Sequence, residues 1–157
     1  MEKRSEMVLP PPTQIGVVVK DLKAAIDYYS GTYGLGPFEV FEFAPAKHWV
    51  DGKPSPIRLN IANCQWGPLE LELLEWVEGD VPHKWFLEEK GEGIQHLAFV
   101  VDNYDEWLDY LNGRGIEVLC NVEIDLGKGN LRAAYMKSDH VGGVIFELQE
   151  NPKAIRE

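Results

Sequence analysis

Four polar side chains stand among apolar neighbours where few other groups could do chemistry: Gln14, Glu72, His96 and Glu147. An amide oxygen, an imidazole and two carboxylates are the donors of a mixed nitrogen–oxygen site for a divalent ion. Taken singly, none is informative. A histidine at the head of a strand is most often a satisfied or surface residue, and a glutamate in an apolar strand can simply face water. Their joint placement carries the reading: Gln14 and His96 begin two matching segments, while Glu72 and Glu147 sit in Leu-Glu72-Leu and Phe-Glu147-Leu. Two carboxylates buried near one another resist ionisation unless a cation neutralises them. The pattern predicts a metal set of Gln14, Glu72, His96 and Glu147, with Glu147 or Glu72 as the base that moves a proton. The donors suit Co²⁺, Ni²⁺, Mn²⁺ or Zn²⁺ and leave room for adjacent substrate oxygens, whose charge a Lewis acid would stabilise.

The elements that must position these groups follow from an internal repeat. Gln14-Ile-Gly-Val-Val-Val-Lys-Asp-Leu-Lys-Ala-Ala-Ile-Asp-Tyr28 aligns without a gap with His96-Leu-Ala-Phe-Val-Val-Asp-Asn-Tyr-Asp-Glu-Trp-Leu-Asp-Tyr110, at an offset of 82 residues. Each copy reads as an apolar strand turning through Asp21 or Asn103 into an amphipathic helix. Leu22, Ala25, Ile26 and Tyr29, and then Tyr104, Trp107, Leu108 and Leu111, fall at helical spacing. Asn103 and Glu106 have the spacing of a capping box, and Gly34 and Gly115 are stop signals. Strand-like segments follow at Phe38–Phe43, Ile57–Ala62 and Leu69–Trp76, and again at Glu117–Val122, Leu131–Lys137 and Val144–Leu148. The reading is an α+β fold of two tandem βαβββ modules, 12–78 and 93–150, in a single domain spanning 1–157. Their eight strands would form a curved, partly closed sheet around a metal cleft. A short helix within 79–92 would link the modules, with Asp80 as cap, Pro82 in its first turn and Gly91 at its end. Pro10-Pro11-Pro12 suits an extended arm outside any central strand.

Alternation along the strands sets which residues share the cleft. Ile15, Val17 and Val19 pack under the first helix and Leu97, Phe99 and Val101 under the second. Gln14 and Gly16, and likewise His96 and Ala98, then face the other way, as though space were being kept. In the last strands Leu71 and Leu73, and Val144, Phe146 and Leu148, face the helices. Glu70, Glu72 and Leu74, with Glu147 and Gln149, turn toward the cleft.

Composition narrows the function classes. The 157 residues are 45% hydrophobic and 26% charged, with a formal net charge of −11. That field repels phosphate backbones, so nucleic acid is not an expected partner. No apolar run approaches the roughly 20 residues of a membrane span. The mixed-charge start at Met1–Glu6 shows no leader pattern. Cys64 and Cys120 as lone thiols suit the reducing cytoplasm. Lys47, Lys53, Arg58, Lys128 and Arg132 are surface cations unless the fold gathers them for an anionic ligand. Gly127-Lys-Gly-Asn130 reads as a hairpin turn, or alternatively as a phosphate cradle or lid. The aromatics from Phe38 to Trp49 read mostly as core, a minority as the lining of an apolar pocket.

From about Gln14 to Gln149 the chain resembles the vicinal oxygen chelate superfamily of glyoxalase I, methylmalonyl-CoA epimerase, extradiol dioxygenases and bleomycin-binding proteins. The epimerase-like branch is matched at Val17-Val-Val-Lys-Asp-Leu-Lys-Ala-Ala-Ile-Asp-Tyr-Tyr29, Glu72-Leu-Leu-Glu, Phe86-Leu-Glu-Glu-Lys-Gly-Glu-Gly-Ile-Gln-His96, Lys137-Ser and Gly142-Gly-Val-Ile-Phe-Glu147. The resemblance implies a metal-dependent isomerase or epimerase that removes a proton beside the carbonyl of a thioester, its substrate an acyl-CoA or a thiol adduct. It also implies a possible homodimer. Two departures matter. Gln14 stands where the epimerases have histidine, which gives the Gln/Glu/His/Glu set of one class of glyoxalase I and keeps a lactoylthioester lyase as the alternative. The epimerases' second glutamate, on a middle strand of the first module, corresponds to Arg58 or Asn60. A non-enzymatic small-molecule binder is the third reading, and it would leave Glu72 and Glu147 without a role.

Overall fold

The structure is a computed structural model describing residues 7–155; the Met1–Glu6 start, read above as leaderless, lies outside the described residues. In chain order the elements are β1 (Gln14–Val19), α1 (Leu22–Tyr33), β2 (Glu39–Phe43), β3 (Lys47–Val50), β4 (Lys53–Pro54), β5 (Arg58–Trp66) and β6 (Leu69–Glu78). Then come α2 (Pro82–Lys90), β7 (Gly93–Val101), α3 (Tyr104–Asn112), β8 (Val118–Asp125), β9 (Asn130–Met136), β10 (Ile145–Glu150) and a 3₁₀ turn at Pro152–Ile155. Both βαβββ units are present, and their strands join edge to edge in one curled mixed sheet. The expectation of eight strands is corrected to ten, in the order β2-β5-β6-β1-β7-β10-β9-β8-β3-β4. The two added strands are short. They leave the first module and pair β3 on β8 of the second, Trp49 opposite Asn121 and Val50 opposite Cys120.

Local chemistry explains the helices. Asp21 accepts the Ala24 N–H at 3.0 Å, and Glu75 accepts the Leu22 N–H at 2.6 Å, so two orphan donors of the first turn of α1 are satisfied. Gly34 ends α1 in the left-handed conformation, where a glycine costs nothing (φ 70°). Three other helix-end expectations are corrected. Helix α3 is closed by Gly113, two residues before Gly115. Asp80 does not cap α2; Val81 takes that position, and Asp80 accepts the Trp85 indole N–H at 2.7 Å instead. Asn103 makes no cap bond to the backbone of α3, because its amide donates to the Glu106 carboxylate at 2.9 Å.

Three apolar clusters follow the predicted faces. Val17, Val19, Leu71 and Leu73 pack with Leu22 beneath α1, with Cys64 among them. Phe99, Val101, Met136 and Leu148 pack with Tyr104 and Trp107 beneath α3, where Met7 and Leu9 of the leading arm also rest. Phe146 is partly exposed, its ring 4.8 Å from that of Phe99. On the concave face Leu59, Ile61, Leu74, Cys120 and Ile145 gather with Val81, against which Trp85 of α2 packs. Gly127–Asn130 is the β8–β9 hairpin turn, closed by the Leu126 N–H on the Gly129 carbonyl. Among the described residues no helix is long and apolar enough to cross a membrane.

Candidate functional site

Register brings the predicted residues together. β1 and β6 run parallel with Gly16 opposite Glu72, and β7 and β10 repeat this with Ala98 opposite Glu147. Where the modules meet, β1 and β7 are antiparallel, with Gly16 opposite His96 and Gln14 opposite Ala98. The space expected at Gly16 is real and occupied: a methyl group there would land on the His96 imidazole. All four candidates are buried, His96 completely.

His96 Nε2 lies 3.1 Å from Gln14 Oε1, 3.3 Å from Glu147 Oε2 and 3.8 Å from Glu72 Oε2. The other ring nitrogen, Nδ1, lies 3.1 Å from Gln95 Oε1 and 3.1 Å from the Tyr135 hydroxyl. An amide oxygen only accepts, so Nδ1 carries a hydrogen and Nε2 turns toward three oxygens that offer none. Glu70 accepts the Gln14 amide N–H at 2.7 Å, which aims the Gln14 oxygen at the imidazole. Gln149 donates to Glu147 Oε1 at 3.1 Å and leaves the other carboxylate oxygen facing His96.

Burial would lower the His96 pKa, but the Glu72 and Glu147 carboxylates outweigh it and hold the imidazole above its ordinary value. Burial, aided by repulsion from Glu72, lifts Glu147 to about 7 despite the opposing pull of His96 and Gln149. The cluster thus lacks positive charge. A proton on Nε2 supplies part of it; a divalent ion would serve all four donors. Neighbouring ligands on one ion with bonds of ~2.1 Å stand about 3 Å apart, and the Gln14 and Glu147 spacings match that. Among the described residues no three His, Cys, Asp or Glu side chains make a metal site by themselves. Gln14 stands nearest the imidazole nitrogen and Glu72 furthest out.

The cluster opens into a cavity of about 360 Å³ between the modules, walled largely by apolar side chains such as Phe43, Leu59, Ile61 and Val122. Neither residue matched to the epimerases' second glutamate reaches it. Arg58 pairs with Glu78 at 3.0 Å, and Asn60 donates to Glu75 at 3.1 Å on the helix side of β5. The cavity-lining positions of that strand are Leu59, Ile61 and Asn63, none a base. The cations are not gathered either: Arg132 is committed to Asp105 and Glu150.

Comparisons with known proteins agree with this arrangement of strands. A family model described as the Glyoxalase/Bleomycin resistance protein/Dioxygenase superfamily matches residues 13–135. The chain belongs to this superfamily. The uncharacterized protein YqjC of Bacillus subtilis (strain 168) is 28% identical over 136 residues, covering 87% of this chain and 89% of that one. Among solved structures, methylmalonyl-CoA epimerase from Mycobacterium tuberculosis superimposes with a TM-score of 0.62 at 23% identity, covering 97% of this chain and 95% of the other. A methylmalonyl-CoA epimerase in complex with methylmalonyl-CoA and NH4+ gives 0.63 at 26% identity, covering 94% and 98%. Within the superfamily fold, sequence reasoning reached the four cluster residues and missed Gln95, Tyr135, His83 and His48. Glu70 and Gln149 were placed on the cleft side by alternation, but their contacts were not foreseeable.

Proposed function

We propose that this superfamily member is a metal-dependent isomerase or epimerase that moves a proton on the carbon next to a thioester carbonyl. The observation that carries the reading is the convergence of Gln14, Glu72 and Glu147, from both modules, on Nε2 of one buried imidazole. Gln14, Glu72, His96 and Glu147 would hold the ion, which would supply Lewis acidity to the carbonyl oxygen beside the reacting carbon. Glu147 has the stronger claim as base. Burial raises its pKa to about 7 without a cation, and an ion held by the cluster would draw it back toward the carboxylate form that a base needs. Glu72, contributed by the opposite module, would exchange a proton from the other side, which is what inversion at carbon needs. The apolar part of the cavity wall suits an acyl group.

The Gln/Glu/His/Glu donor set and the lack of a carboxylate on the cleft side of β5 favour a second reading, a glyoxalase I-type lactoylthioester lyase. Metal content of the purified protein and deuterium uptake from D₂O test both. Expected are about one divalent ion per chain and exchange at the α-carbon of a 2-methyl-branched acyl-CoA. Chelation should abolish the exchange, and Glu147→Gln should slow it by roughly 10²–10⁴-fold. Lactoylthioester formation from a methylglyoxal–thiol adduct, without acyl-CoA exchange, would select the lyase. A protein that takes up no metal and exchanges neither substrate is a binder, and the enzymatic reading is lost.

A further inference from the structure

The cavity holds a second group of polar side chains that the proposed chemistry leaves unused. Gln95 Oε1 fixes the hydrogen of His96 on Nδ1, so the Tyr135 hydroxyl cannot donate there. The same hydroxyl lies 3.2 Å from His83 Nε2, the nitrogen within its reach to which its proton can go. A neutral His83 must then carry its own hydrogen on Nδ1. That nitrogen has no hydrogen-bond partner among the described residues, although His83 is only 3% exposed. His48 offers the opposite character. Its Nδ1 lies 2.8 Å from the Ser55 carbonyl oxygen, which can only accept, so Nδ1 is the donor and Nε2 keeps a free lone pair.

Both imidazoles are buried and line the same cavity. Burial pushes His83 down to about 3, with the charges of His96 and His48 adding to the effect. It lowers His48 as well, against the pull of its Ser55 bond. Two neutral rings, one with a spare donor and one with a spare acceptor, therefore line the same cavity. A buried donor left unmade is costly, and a native fold that keeps one is commonly completed by something bound.

We propose that His83 and His48 form a second polar subsite of this cavity, which takes a hydroxyl group of the ligand: its oxygen accepts from His83 Nδ1–H and its proton goes to His48 Nε2. The subsite adds to the proposed reaction that the substrate carries a hydroxyl, and it stands on the cavity and these tautomers whether or not a metal is bound.

Phenol and toluene, matched in size, test it on the purified protein. Long-range ¹H–¹⁵N correlation of the labelled wild type should show both His83 and His48 as Nδ1–H tautomers. Phenol should shift His83 Nδ1 and His48 Nε2 and bind roughly tenfold more tightly than toluene, the worth of one or two net hydrogen bonds. His83→Phe and His48→Phe should each bring the two ligands to near parity. A His83 found as the Nε2–H tautomer, equal affinity of phenol and toluene for the wild type, or no shift with either ligand overturns the proposal. The wild-type spectra decide even if a variant fails to fold. Metal content and deuterium exchange are read separately, so loss of the isomerase reading does not mimic loss of the subsite.

Discussion

Gln14 shows how much a single contact decides. Its amide could present either end to His96, and the 2.7 Å bond to Glu70 makes it the oxygen. Glu70→Leu should free the amide to rotate and weaken divalent-metal binding about 10–100-fold, as loss of an outer-sphere partner commonly does; competition with a chromophoric chelator measures it. An unchanged affinity would mean Gln14 is not a ligand. The four cluster residues were legible in the sequence because they occupy equivalent places in a repeat. Tyr135 and Gln95 were not, since a tyrosine within a strand and a glutamine beside a histidine have no distinguishing pattern. Their roles exist only through contacts with His96. Arg58 and Asn60 misled for a related reason: alignment located the strand, but alternation with β6 decides which side chains enter the cleft.

At the level of elements, the seam between β1 and β7 is the sensitive place. Gly16 faces His96 there, and its missing side chain is what lets the imidazole lie against the strand. Gly16→Ala should displace the ring, cost about 1–3 kcal/mol of stability by overpacking, and reduce metal affinity in the same step. Urea unfolding combined with a metal titration would show both losses; a fully stable, metal-competent variant would disprove the packing argument. Module strands were readable because each alternates over several residues and is followed by a helix of clear periodicity. β3 and β4 were not. They have four and two residues, and β3's partner β8 lies in the other half of the chain. The failed caps at Asp80 and Asn103 belong here too, since each side chain found a side-chain partner in place of the backbone.

For the molecule as a whole, His83 ties α2 to the sheet through Tyr135 and makes folding sensitive to acid. Its pKa falls from an ordinary 6.5 to about 3 on folding, mainly through burial. The unfolded chain therefore binds the extra proton between those values. The stability from keeping this ring neutral is fully present above pH 6.5 and is lost as the pH falls toward 3. Between pH 7.5 and 4.5 the loss is on the order of 2–3 kcal/mol. Urea midpoints of wild type and His83→Leu should show the variant losing correspondingly less over that range. Equal losses would mean that His83 is already protonated in the fold or reaches water.

The two cysteines lie in separate clusters, Cys64 beneath α1 and Cys120 on the cavity wall, and both are buried, with burial pushing their thiols up. Each sulfur should therefore react with alkylating reagents only when the side chains around it part, and each would report on different surroundings. A molecule that fills the cavity should slow iodoacetamide labelling at Cys120 and leave the rate at Cys64 unchanged, which mass spectrometry of timed digests would resolve. Occupancy of the interior becomes countable in this way before any turnover has been observed.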